Sequence, residues 1–344
     1  MSKEPIGILV NDIHVDQDCI ADFVKNWDEL LGICRDRKIF DIFIGGDVFT
    51  SRSSQTLAVL LAVKRAFQKA YDRNISVTVA EGNHDKVNQE DIDGYCHLYD
   101  GYRSNVDVVD TVKVFTWDDC DVELVMISYF KENGSLIEKI KEAESKVKNL
   151  DNSILYLHAG IHGALGDFDI PGEAPQEWFG KFGKVLVGHY HNRTVIKGTN
   201  IEYIGSSRQS NFGEDEEKGY TILYDDGSIE FVKNMVNTRY RTLEFTYDEL
   251  MKAMPLKLDD VELYRTRCKV RMTDAQAKKF DEKQLLECGV TKIEKVTDSV
   301  EAVKVAARCI DEKYDKNGIK REYVNFCGIR NVDSSLGVEY LNKI

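Results

Sequence analysis

The chain has 344 residues, 42% hydrophobic and 31% charged, which supplies a sizeable core and enough length for a main domain plus a smaller one. Its net charge of −13 excludes nucleic-acid binding by bulk electrostatics alone. No apolar run approaches the ~20 residues of a membrane span, so no membrane partner is expected.

The N-terminal "MSKEPIGILVNDIH" is too short and polar for a signal peptide and enters a strand directly. Ile20, Phe23, Val24, Trp27, Leu30, Leu31 and Cys34 then recur at helical spacing. "DIFIGG" reads as a second strand, and Leu57, Leu60, Val63, Phe67, Ala70 and Tyr71 as a second helical stripe before the strand "ISVTVA". This β-α-β-α-β order, with strands apolar on both faces, predicts a layered α/β fold. Further on, "VDVVDTVKVFTW" and "DVELVMIS" read as paired antiparallel strands, followed by a polar helix over roughly 134–149. "SILYLH" and "KVLVG" are two more buried strands, while "TVIKGTNIEYIG" and "GYTILYDDGSIEFV" read as hairpins. The whole predicts a two-sheet sandwich flanked by helices over residues 1–238.

Residues 239–344 read as a separate small α+β domain. "RTRCKVRM", the helical "DAQAKKFDEKQLLE", "VTKIEKV" and the helical "SVEAVKVAARCIDEKY" give it a β-α-β-α order. The final "VDSSLGVEYLNKI" suits a short helix packed on its own domain or a partner-docking tail. Eight cysteines without a C-x-x-C pair read as scattered reduced core residues, which predicts a cytoplasmic location.

Chemistry gathers where the strands stop. After "GILV" comes Asn11-Asp12-Ile13-His14; after "DIFI", Gly45-Gly46-Asp47; after "VTVAE", Gly82-Asn83-His84-Asp85. His158 ends "ILYL", and Gly188-His189-Tyr190-His191 ends "KVLV". Sites in open α/β sheets form beyond the carboxyl ends of strands, so five such ends can converge. Imidazole and carboxylate ligands suit Mn²⁺, Fe²⁺ or Zn²⁺ better than Mg²⁺ or Ca²⁺. Asp12, His14, Asp47, Asn83, His158, His189 and His191 are too many for one tetrahedral ion, but two ions sharing a carboxylate use them all. His162 is the alternative to His158, and His97 reads as a structural histidine. Arg52, Lys86, Arg193 and Arg208 flank the motif loops and are candidates for phosphate contacts, or ordinary surface charge. The acidic run Glu214–Glu217 reads as a solvated loop.

The order D-x-H, G-D, G-N-H-D, H, G-H-x-H resembles the calcineurin-like metallophosphoesterases over roughly residues 6–235. The resemblance implies one metal held by Asp12, His14, Asp47 and His191, and another by Asp47, Asn83, His158 and His189, with Asp47 as bridge. It gives His84 a place beside the scissile phosphate, oriented by Asp85, and favours two divalent ions, most simply Mn²⁺. "IEYIGSSRQSNFGEDEEKGYTIL" resembles, more narrowly, the SbcD-type double-strand-break nucleases in a compact, phage-like version. That implies a DNA exo/endonuclease, a capping domain in the last hundred residues and a coiled-coil ATPase partner of the SbcC type. It also implies possible homodimerisation and a bacterial cytoplasm, or the host's if phage-encoded. One departure is Thr50, where the family usually has Asp or His, which bears on the exonuclease mode. The alternative function is a phosphoesterase of the same fold acting on a nucleotide or phosphoprotein.

Overall fold

The computed structural model describes residues 3–297 except 119, 121 and 167–169, together with positions 323, 327, 334 and 335. The helix expected over 299–314 lies outside the described residues, as does all but a fragment of the tail. The chain divides into two compact units: residues 1–240 with 262–264, and residues 241–261 with 265–344.

In the first unit, β1 (Pro5–Val10), α1 (Ile20–Arg37), β2 (Asp41–Gly45), α2 (Leu57–Tyr71), β3 (Ser76–Ala80) and β4 (Val106–Val109) follow in order. Then come β5 (Val112–Phe115), β6 (Glu123–Ile127), α3 (Leu136–Lys146), β7 (Ser153–His158) and β8 (Lys184–Gly188). The unit continues with β9 (Thr194–Val195), β10 (Ile201–Tyr203), β11 (Gly219–Tyr224) and β12 (Ile229–Lys233). One sheet runs β12-β11-β1-β2-β3-β4 and the other β5-β6-β7-β8-β10-β9. β1 to β4 are mutually parallel, as are β6, β7, β8 and β10, while the hairpins β11–β12 and β9–β10 are antiparallel.

Strand alternation builds the layers. Ile8, Val10, Ile42 and Ile44 face Phe23, Trp27, Leu30 and Leu31 of α1 and Val63 and Phe67 of α2 in one core. Their neighbours Leu9 and Phe43 turn the other way, into a second core shared with Leu124, Met126, Tyr156 and Leu186 of the opposite sheet. Val125, Ile127, Leu155 and Leu157 then face Leu136, Ile140 and Ala143 of α3. A period of two explains why each strand is apolar throughout: both faces are covered. Truncating a central residue such as Leu155 to Ala is expected to cost about 2–5 kcal/mol.

One pairing differs from expectation. "VDVVDTVKVFTW" does not form one strand: β4 joins the first sheet beside β3, and only β5 pairs antiparallel with β6. Asp110 and Thr111 separate the halves, and each half extends the sheet it faces.

The second unit holds most of a three-stranded sheet, β13 (Arg239–Thr246), β14 (Tyr264–Arg271) and β15 (Val290–Val296). α4 (Tyr247–Ala253), α5 (Asp274–Ala277) and α6 (Lys283–Glu287) accompany it. Leu250, Cys268, Val270, Leu285 and Val290 form its core. The helix expected over 274–287 is two short helices, and β13 and α4 were not anticipated.

Candidate metal centre

The carboxyl ends of β1, β2, β3, β7 and β8 converge. Asp12, His14, Asp47, Asn83 and His158 are buried. His14 Nε2 lies 3.5 Å from Asp47 Oδ2 and 3.8 Å from Asp12 Oδ1. His191 Nε2 stands 3.7 Å from Asp12 Oδ1 and 3.1 Å from His14 Nε2. On the other side, His158 Nε2 is 3.3 Å from Asp47 Oδ2 and 2.9 Å from Asn83 Oδ1, to which His189 Nδ1 also comes within 3.2 Å. Asp47 is the residue common to both groups.

The backbone is bent to achieve this. Asp12, His14, Asp47 and His189 all have positive φ, at 51°, 49°, 53° and 103°. Non-glycine residues rarely adopt that region, and such strain collects at functional sites. The first-sheet loops are laced by backbone hydrogen bonds: Asp12 N–H to Gly46 O (3.1 Å), His14 N–H to Asp47 O (2.9 Å) and Val15 N–H to Val48 O (2.8 Å). Gly82 passes so close to Asp47 that a Cβ there would sit 2.2 Å from Oδ1.

Hydrogen bonds settle which ring nitrogens face inward. His158 Nδ1 meets Gly45 O at 3.3 Å, and His191 Nδ1 meets Glu214 Oε1 at 2.7 Å. Donation at Nδ1 leaves lone pairs at Nε2, aimed at carboxylate and amide oxygens. Acceptors thus face acceptors, an arrangement that cations satisfy, and the nitrogen and oxygen donor set fits two divalent transition-metal ions. The electrostatics agree. Burial alone would depress the His158 pKa, but the Asp47 carboxylate raises it to about 9. Burial would raise Asp47, yet His158, then His14 and His84, hold it well below the usual carboxylate range. Burial and then the charge of His158 bring His189 down to about 4. A proton on His158 takes the place a cation would hold.

His84 stands at the rim, half-buried, with Nδ1 2.5 Å from Thr50 O and its ring edge-on to His14 at 5.1 Å. The backbone N–H of His84 donates to Asp47 Oδ1 at 2.8 Å. Asp85 does not orient this ring as expected. Its carboxylate accepts from the backbone N–H groups of Gly82 (2.8 Å), Phe49 (2.9 Å) and Val48 (3.2 Å), so it fastens the loop that carries His84.

Three of the four candidate phosphate contacts are corrected. Lys86 is fully buried, donating to Asp91 O and Tyr129 O, each at 2.9 Å. Arg208 is buried and clamps the D-x-H loop by donating to Ile13 O (3.0 Å) and His14 O (2.6 Å). Arg193 donates to Ile204 O, Thr221 Oγ1 and Glu202. Turning any of them to a phosphate would strand buried carbonyls. Arg52 is exposed, and with Lys131 it lines a cavity of about 590 Å³ that includes Asn83, His189 and Tyr190. Lys131 had carried no sequence signal.

Glu214 also departs from expectation. Its side chain is only 7% exposed, because it meets His191 rather than solvent. Among the described residues, the possible metal-holding groups include His158 and not His162, whose N–H bonds Ala174 O. His97 bridges Glu81 and Asp110 away from these groups.

Residues 8–193, more than half the chain, match the family model described as calcineurin-like phosphoesterase. The chain belongs to that family. As a metallophosphoesterase it has a fold that uses a dinuclear metal site, and its own ligand clusters accord with one. It is similar to the DNA double-strand break repair protein Mre11 of Methanocaldococcus jannaschii, 27% identical over 172 residues, 47% of this chain and 43% of that protein. The match therefore spans less than half of that relative's length. Similar solved structures include the nuclease MPE of Pseudomonas putida (14% identity, 66% of this chain, 87% of that one, TM-score 0.30). Another is a dimetal phosphatase from Danio rerio (10% identity, 68% of this chain, 99% of that one, TM-score 0.43). Among the described residues no helix is long and apolar enough to cross a membrane.

Proposed function

We propose that this metallophosphoesterase is a two-metal DNA exo/endonuclease, the catalytic subunit of an SbcC–SbcD-like repair or recombination complex. The observation that supports this is the convergence of the seven candidate ligand residues with His84 at the rim, in a chain similar to an archaeal double-strand break repair protein. Asp12, His14, Asp47 and His191 would hold one ion and Asp47, Asn83, His158 and His189 the other, Mn²⁺ being the preferred metal. Two such ions supply charge that polarises a phosphodiester and eases ionisation of a water. With Nδ1–H on the Thr50 carbonyl, Nε2 would be the atom of the doubly protonated ring that gives a proton to the departing oxygen, leaving a neutral imidazole.

Residues 1–238 form the nuclease domain in this reading and 239–344 a capping domain with a partner-docking tail. An SbcC-type ATPase would supply duplex grip, consistent with a charge of −13 and with Lys86, Arg193 and Arg208 being tied inward. A homodimer and a bacterial or phage-host cytoplasm complete it. The same charge balance favours a second reading, hydrolysis of a nucleotide or phosphoprotein. Cleavage of single-stranded circles and linear duplex with Mn²⁺ decides between them. His84→Ala is expected to lower the rate about 10²–10⁴-fold. Intact DNA even with an SbcC-type ATPase added, beside hydrolysis of a small phosphodiester, would favour the second reading.

A further inference from the structure

We infer that Glu214 is a positioning residue: it holds His191 by Nδ1 so that Nε2 is the atom offered to a divalent ion, and thereby sets the affinity of one of the two ion positions. The inference rests on the two-ion reading above.

Glu214 comes from the loop after β10, far from the metal motifs in sequence, yet its Oε1 lies 2.7 Å from His191 Nδ1. It is itself immobilised. Ser210 N–H donates to Oε2 at 3.1 Å, while Ser210 Oγ and Asn211 Nδ2 each lie 2.6 Å from Oε1. Its backbone carbonyl accepts from Gln209 Nε2 at 2.8 Å. Lys218 is fully buried; its Nζ stands 3.5 Å from Glu214 Oε2 and donates to His191 O at 2.6 Å. One carboxylate and one ammonium therefore grip both the ring and the main chain of His191.

The other ion position is backed differently. Among the described residues, His158 Nδ1 meets the neutral carbonyl of Gly45. A carboxylate behind an imidazole fixes its tautomer and makes the opposite nitrogen a stronger donor to a cation, and losing such a partner typically weakens metal binding 10–100-fold. The asymmetry predicts that removing Glu214 affects one ion and spares the other.

The test is calorimetric titration of Mn²⁺ into the metal-free full chain, with electron paramagnetic resonance of the loaded protein. The wild type is expected to bind two ions and give a coupled-pair signal. In Glu214→Ala one binding step weakens about 10–100-fold, and an isolated Mn²⁺ signal appears at concentrations that fill the wild type. Glu214→Gln keeps an acceptor for Nδ1–H without the charge and is expected to fall between; it decides the matter if the Ala variant does not fold. Unchanged affinities at both steps overturn the inference, as does equal weakening of both. A wild type that binds fewer than two ions overturns it together with the two-ion reading, and is seen before any variant is compared.

Discussion

The two sheets contribute to the site in different ways. Loops after β1, β2 and β3 are fastened chiefly by main-chain bonds and by the Asp85 carboxylate across three N–H groups, with Arg208 clamping the first of them from elsewhere in the chain. The histidines after β8 depend on side chains from elsewhere, Glu214 and Lys218. A backbone-fastened half tolerates substitution around it but not within its close contacts. A side-chain-fastened half can be tuned one residue at a time.

Gly82→Ala should break the first half most severely. A Cβ 2.2 Å from Asp47 Oδ1 displaces the residue common to both ligand groups, so both Mn²⁺ steps should weaken by about 100-fold or more, alongside about 1–3 kcal/mol of overpacking. Calorimetry and urea unfolding read the two effects separately; retention of either tight step would show that the loop yields. Lys218→Met should strike the second half alone. It leaves His191 O and Glu214 without their buried cation, at about 3 kcal/mol in unfolding free energy, while the ion at Asn83 and His158 stays bound.

The smallest effect is a pH dependence in the first half. Hydrogen bonding to Glu81, helped by Asp110 and the nearby Asp93, raises His97 to about 9 from an ordinary 6.5. A pKa raised on folding means stabilisation that is fully present below about 6.5 and lost as pH rises through about 9. His97→Gln should therefore narrow the difference from wild type as pH increases, in metal-replete unfolding titrations. A difference that is constant with pH would assign His97 a packing role only.

The five strand ends that carry the candidate ligands were legible because apolar runs with a two-residue period stop at Gly, Asp, Asn or His, and each stop was a strand end. The partners of those ligands were not. Arg208 and Lys86 look like surface cations in sequence, since a long side chain gives no sign of which way its charged end turns. Glu214 sits in the run "GEDEE", indistinguishable from its neighbours until the loop is folded. Main-chain partners such as Thr50 O and Gly45 O carry no side-chain signal at all. In the second unit, β13 is polar and only partly buried, so it lacked the periodicity that marks the inner strands.

The left-handed backbone at Asp12, His14, Asp47 and His189 has a consequence for how this chain can change. Each position favours glycine conformationally by roughly 1 kcal/mol, yet a glycine there contributes no ligand. Variation that improves folding and variation that preserves turnover therefore pull in opposite directions at these four places. Selection for robustness alone, as in a thermostability screen without an activity assay, would erode the site from its strained corners first.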